Sequence, residues 1–147
     1  MWEKTNAIIK SILEANTYLT KVYDFEASEL EGTPIATLTP SSNENAYHST
    51  TENRRRYVFV IRLFVKRLSG ESNENTTEKA MRELVDSVID DFDKNHRLTG
   101  LVVNDGYSYL YMRATPSRWG YVGRENEYRV AEIELSVDYD VDVNIIS

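Results

Sequence analysis

Residues Asn53–Leu68 (NRRRYVFVIRLFVKRL) are the longest β-rich run in the chain, and a run of this kind is expected to lie within a sheet. Side chains alternate faces along a strand. Tyr57, Phe59, Ile61, Leu63 and Val65 therefore share one face, and Val58, Val60, Arg62, Phe64 and Lys66 share the other. The first half is apolar on both sides, which predicts a strand with both faces covered. The second half alternates charged with apolar residues, as when one face reaches water or a partner. Three arginines, Arg54, Arg55 and Arg56, precede the apolar stretch.

A second run, Tyr128–Val143, alternates more cleanly. Ala131, Ile133, Leu135, Val137, Tyr139, Val141 and Val143 share one face, and Glu132, Glu134, Ser136, Asp138, Asp140 and Asp142 the other. Two helices are expected beside these strands. Glu3–Asn16 sets Ile8, Ile9, Ile12 and Leu13 at helical spacing, with Trp2 and Ala15 able to extend the stripe. Thr77–Asn95 sets Met81, Leu84, Val85, Val88, Ile89 and Phe92 on one stripe, with charged residues opposite. Thr76 or Thr77 suits the cap of this helix.

Shorter strands are expected at Leu19–Phe25, Thr33–Leu38 and Leu101–Val103. A further strand from Tyr107 to Met112 places Tyr107, Tyr109 and Tyr111 on one face, after the turn Asn104–Gly106. Pro40–Glu52 (PSSNENAYHSTTE) has almost no apolar content. It predicts a long polar loop at about 40–53, either solvated or ordered on a neighbouring subunit, with Tyr47 and His48 as its bulky members. Pro116–Gly123 reads as a connection carrying Trp119 and Tyr121.

The 147 residues suggest one domain, 1–147, and the element pattern gives the α+β class. No apolar run approaches the roughly 20 residues a membrane helix needs. The first residues lack the uninterrupted apolar core of a signal peptide, so none is expected. Without cysteine the chain has no disulfide, thiolate zinc site or cysteine nucleophile. A net charge of −7 makes nonspecific DNA binding an unfavoured reading. The 10 tyrosines favour an interface, because the ring is apolar and its tip polar.

The sequence holds no GxGxxG after a strand, no Walker A loop, no HExxH and no GxSxG. His48 and His96 read as solvated residues rather than a base or a ligand. The acidic face of Tyr128–Val143 has three readings. It is a solvated face, a Mg²⁺ or Ca²⁺ site of the sort a two-metal nuclease uses, or an electrostatic stripe. Asp138, Asp140 and Asp142 stand about 7 Å apart per step. Such metal sites draw on several elements, often with a lysine nearby, and no Lys or Arg follows Arg129. As a stripe, the carboxylates either pair with Arg54, Arg55, Arg56, Arg62, Lys66 and Arg67 or face a channel, where they would repel DNA phosphates. No catalytic residue, metal or cofactor is assigned.

The order of these features resembles the tail terminator (tail completion) proteins of long-tailed bacteriophages. The matching pieces are the N-terminal helix, GTPIATLTP, the polar loop, and Asn53, Arg55, Tyr57 and Phe59 in NRRRYVFVIRL. The amphipathic helix with Leu84-Val85-Asp86-Ser87-Val88-Ile89-Asp90 follows, and then Arg129-Val130-Ala131-Glu132-Ile133-Glu134-Leu135. Together they span most of residues 1–143. Thr33 stands where the family often has an aromatic residue, and the Tyr107–Trp119 region is unusually long and tyrosine-rich. Both differences keep a head–tail connector or stopper of the neck as the alternative.

The resemblance implies a mixed, mainly antiparallel sheet flanked by two principal helices, and no catalysis. It implies a homo-oligomeric ring, typically a hexamer, bound to the tail tube protein and joined to a connector or neck protein. DNA would pass through the lumen without specific binding. The place would be the neck-proximal end of the virion tail, with assembly in the host cytoplasm and no membrane. In that setting Arg54, Arg55, Arg56, Tyr57, Tyr47 and Trp119 are expected at a subunit or tube interface. Glu132, Glu134, Asp138 and Asp140 are expected as lumen-facing or interface charges.

Overall fold

In the computed structural model the described residues are 1–27, 30, 32–47, 51–67, 71–95 and 106–144. In chain order the elements are α1 (Trp2–Glu14), β1 (Lys21–Tyr23), β2 (Ile35–Tyr47), β3 (Glu52–Lys66), α2 (Glu71–Lys94), β4 (Tyr107–Val122), a 3₁₀ turn (Arg124–Asn126) and β5 (Tyr128–Asp142). The strands form one sheet in the order β1-β2-β3-β5-β4. β1 runs parallel to β2, and every other neighbour is antiparallel. The fold is therefore α+β with a mixed, mainly antiparallel sheet, as expected.

The two alternating runs lie side by side at the centre of the sheet. Tyr57 pairs with Val137, Phe59 with Leu135, Ile61 with Ile133 and Leu63 with Ala131, so their apolar faces coincide. Both helices pack against this face. α2 contributes Met81, Leu84, Val85, Val88 and Phe92, and α1 contributes Ile9, Ile12 and Leu13, all of them buried. Trp2 meets Tyr57 and Phe59 edge-on at 4.7 and 5.1 Å between ring centres. A polar link crosses this core, a 2.8 Å hydrogen bond between the hydroxyls of Thr5 and Tyr139. Burial raises the Tyr139 phenol above its ordinary value, and the Thr5 bond partly opposes the shift.

Among the described residues the helices cover one face only, and the second face of the first half of β3 is covered in part and without a helix. On the other face Val58 and Phe64 are buried without a helix above them. Phe64 lies between Ile35 and Val130 in adjacent strands. Between β1 and β2, Glu26 pairs with Arg62 at 2.7 Å and the Leu30 carbonyl accepts from Tyr128 Oη at 3.2 Å, both at this end of the face.

The polar loop expected at about 40–53 is mostly strand. β2 continues to Tyr47 and pairs with β3 from Asn53 upward, with a bulge between Pro40 and Ser42. Side chains 41–46 stay exposed, so apolar burial does not order this arm. Backbone pairing does, and Asn45 helps. Its Oδ1 accepts from Asn53 Nδ2 at 3.1 Å and from Arg55 Nε at 2.8 Å.

β4 holds two further corrections. Pro116–Gly123 is not a connection, since β4 runs on to Val122. Pro116 is tolerated because β4 is an edge strand and a bulge follows directly. The three tyrosines of β4 do not share a face. A bulge between Tyr109 and Tyr111 leaves Tyr107 and Tyr109 on the helix side and turns Tyr111 to the open side, opposite Asp138. α2 also starts at Glu71, earlier than its apolar stripe implies. Leu101–Val103, His48 and His96 lie outside the described residues.

Candidate functional site

The antiparallel register of β3 and β5 sets Arg54 against Asp140, Arg56 against Asp138 and Arg62 against Glu132, all on the face without helices. Two arginines then close over one carboxylate. Asp138 Oδ1 accepts from Arg56 Nε at 2.8 Å. Its Oδ2 accepts from Arg54 Nε at 3.2 Å, Arg54 Nη2 at 2.9 Å and Arg56 Nη2 at 3.1 Å. Asp138 is 0% exposed as a result. Arg54 also donates to the Tyr111 hydroxyl and stacks over its ring at 5.2 Å, an arrangement that the β4 bulge makes possible. Arg56 extends the cluster to Glu44 of β2 at 3.6 Å.

Burial alone would raise the Asp138 carboxyl. Hydrogen bonds from Arg56, Tyr111 and Arg54 outweigh it and hold the group below the usual carboxylate range. The same contact with Asp138 raises the Arg56 guanidinium. Further along the face, Arg62 joins Glu132 at 2.9 Å and Glu26 at 2.7 Å. Glu132 is half-buried in that pair, Asp140 is half-buried, and Glu134 is exposed. Among the expected lumen charges, Glu134 faces solvent and Asp138 lies beneath two guanidinium groups.

The three consecutive arginines do not act as one patch. Arg55 points to the helix side, donates to the Tyr107 hydroxyl and stacks over that ring at 5.6 Å. Tyr57, expected at an interface, is 4% exposed and belongs to the core beneath Trp2 and Tyr139. Tyr47 ends β2 opposite Asn53. Trp119 does reach the surface, 43% exposed on edge strand β4.

Trp119 belongs to a second cluster on the helix side. Arg129 is held by Glu78 of α2 at 2.8 and 3.1 Å and lies 5.5 Å from the Trp119 ring and 4.7 Å from Tyr121. Glu78 is lowered, first by the Arg129 hydrogen bond, with burial opposing. Arg67 flanks Tyr121 at 5.0 Å and pairs with Glu74 at 2.7 Å. Leu110, Tyr111, Tyr121 and Val122 are exposed together with Trp119 on β4, and Tyr18 and Phe25 are exposed beside β1. Trp119 and Tyr121 are on the helix side of β4, and Tyr111 and Val122 on its open side.

Chemically, the open face is a lattice of guanidinium–carboxylate pairs. Both Asp138 oxygens are engaged, which leaves that carboxylate poorly placed as a cation ligand. Among the described residues, no three His, Cys, Asp or Glu side chains stand close enough to hold a metal ion. No described helix is long and apolar enough to cross a membrane.

No family model matches the chain, and no curated protein matches it in sequence. Among solved structures, it is similar to a chain from the "Virion of native gene transfer agent (GTA) particle", with 12% identity and a TM-score of 0.43. That match covers 95% of this chain and 90% of the other.

Proposed function

We propose that this chain is a structural protein of a phage-like virion and acts as a tail terminator rather than an enzyme. Copies form a ring, of six in this reading, on the last ring of the tail tube. The ring stops tube growth and presents the surface to which the connector or neck protein joins, with DNA passing through its hole.

The ordered set of sequence features, which spans most of residues 1–143 and whose polar piece is mostly strand in the fold, is the observation that carries this reading. The sheet supports it in two ways. The charges of the open face are largely neutralised within the chain by the Arg54–Asp138–Arg56 and Arg62–Glu132 contacts, which suits a rigid plate rather than a binding site for a charged ligand. Edge strand β4 exposes Trp119 and Tyr121, where a neighbouring subunit can add. Exposed Glu134 is the carboxylate best placed to face a lumen and repel DNA phosphates.

The test is cryo-electron microscopy of purified particles carrying a label fused to this chain. Label at the head-proximal end of the tube is the expected result. Label along the whole tube, at its distal end, or absent from particles would contradict the proposal. Label on the head vertex without tube contact would transfer the chain to the connector or stopper class.

A further inference from the structure

Two strands of the sheet carry an open edge among the described residues. β1 covers β2 only at Ile35–Thr37, so from Leu38 to Tyr47 no strand lies outside β2. β4 closes the opposite side of the sheet, also with no strand outside it. Long open edges are places where another chain can pair.

The two edges are complementary in three respects. The first is direction. Each step from β2 to β3, β5 and β4 reverses the strand, so β4 runs antiparallel to β2. A copy related by rotation about an axis along the strands would present β4 antiparallel to β2 of its neighbour.

The second is shape. Beside the open part of β2 lies a surface groove of about 510 Å³, bounded by Trp2, Glu3, Asn6 and Asp24 on one side and Pro40 and Phe59 on the other. It lies on the helix side of the sheet, as do the exposed rings of Trp119 and Tyr121 on β4.

The third is charge. β4 carries Arg113 and Arg118 and no acidic residue, and both arginines point to the open side of the sheet, away from the groove. Glu44, the one charged residue of β2, lies on the open side of the sheet, the side to which Arg118 also points.

We infer that segment Arg118–Val122 of β4 in one copy adds to the open edge of β2 in the next, and that Trp119 and Tyr121 enter the groove beside Trp2 and Phe59. Arg118 lies opposite Glu44 in this register, and Gly120 lies opposite Ser42. Backbone hydrogen bonds supply adhesion, and the two rings with the Arg118–Glu44 pair select the register. The bulges at Tyr109/Tyr111 and Pro116/Arg118 keep the rest of β4 from pairing, and the β2 bulge between Pro40 and Ser42 falls opposite Tyr121 and Val122, so regular pairing is limited to Arg118–Gly120. The contact joins unlike edges, so it repeats head to tail, and in the ring reading above that repeat closes. It deepens the ring reading above and depends on it only for the presence of a second copy.

The chain has no cysteine, so introduced ones report without background. A Cβ at Gly120 would meet nothing within 4 Å, and Ser42 is exposed, so Gly120→Cys and Ser42→Cys preserve the fold. Facing residues of an antiparallel pair have Cα atoms about 4.5–5.5 Å apart, within disulfide reach. The expected result on oxidation is a disulfide dimer from a mixture of the two single variants and little from either alone. The double variant should give a ladder ending at the ring.

Light scattering on the same samples separates the two levels of the account. An oligomer without the mixed cross-link, or with cross-links in single-variant samples only, overturns this contact and leaves the ring standing. A monomer at every concentration overturns the contact as well. A closed ladder from a protein that is absent from tails would leave the contact standing and remove the terminator role.

Discussion

Strands β3 and β5 have two faces built on opposite principles. On the helix side, Tyr57, Phe59, Ile61 and Leu63 meet Val137, Leu135, Ile133 and Ala131, and two helices exclude water. On the open side the same strands are held by Arg56–Asp138 and Arg62–Glu132. The first face is stabilised by apolar area removed from water, the second by charges that must remain paired. An error on the first face should therefore be costly at every pH. An error on the second should be moderate and dependent on pH and salt.

The sharpest way to break the contrast is Val85→Asp. Val85 is 3% exposed on the α2 stripe. A carboxylate there should cost about 4 kcal/mol or more, enough to lose cooperative unfolding by circular dichroism. A folded variant of unchanged midpoint would refute the packing described.

Asp138→Asn should come next. It leaves Arg54 and Arg56 facing each other without a carboxylate, but their side chains are 39% and 34% exposed and can turn to water. The cost should be about 2 kcal/mol in urea unfolding, below that of a fully buried broken pair. The pH dependence has a defined sign. The Asp138 carboxyl is lowered in the fold, so its contribution is complete above the unfolded value near about 3.9 and fades as pH falls through the folded value. The wild type should lose stability below that range more steeply than Asp138→Asn, and parallel curves would count against the buried pair.

Thr5→Val removes the hydrogen bond that crosses the core to Tyr139 and should cost about 1 kcal/mol, read from the same unfolding curves. Glu134→Gln, on the open face and exposed, should change stability by no more than about 0.5 kcal/mol. A larger effect would mean that Glu134 belongs to the lattice rather than to the surface.

The helix-side face was legible in the sequence because periodicity reports it directly. The α2 stripe and the alternation of Tyr128–Val143 needed no knowledge of neighbours. The open face was legible only in part. Pairing between the acidic strand and Arg54, Arg56 and Arg62 stood as one of several readings, because register is a tertiary fact that neither strand encodes alone. The arm from Pro40 to Tyr47 was missed because its order comes from backbone pairing with β3, which leaves no apolar pattern. Tyr111 was placed on the wrong face because the bulge before it adds a residue that simple alternation cannot show. The resemblance implies an interface role for Tyr57, whereas its position under Trp2 buries it in the core.

Tail length tests the terminator role most directly. Particles assembled without this chain should carry tubes of uncontrolled length, with few joined to heads, when measured by electron microscopy. Tails of normal, uniform length, joined to heads in the absence of the chain, would contradict it.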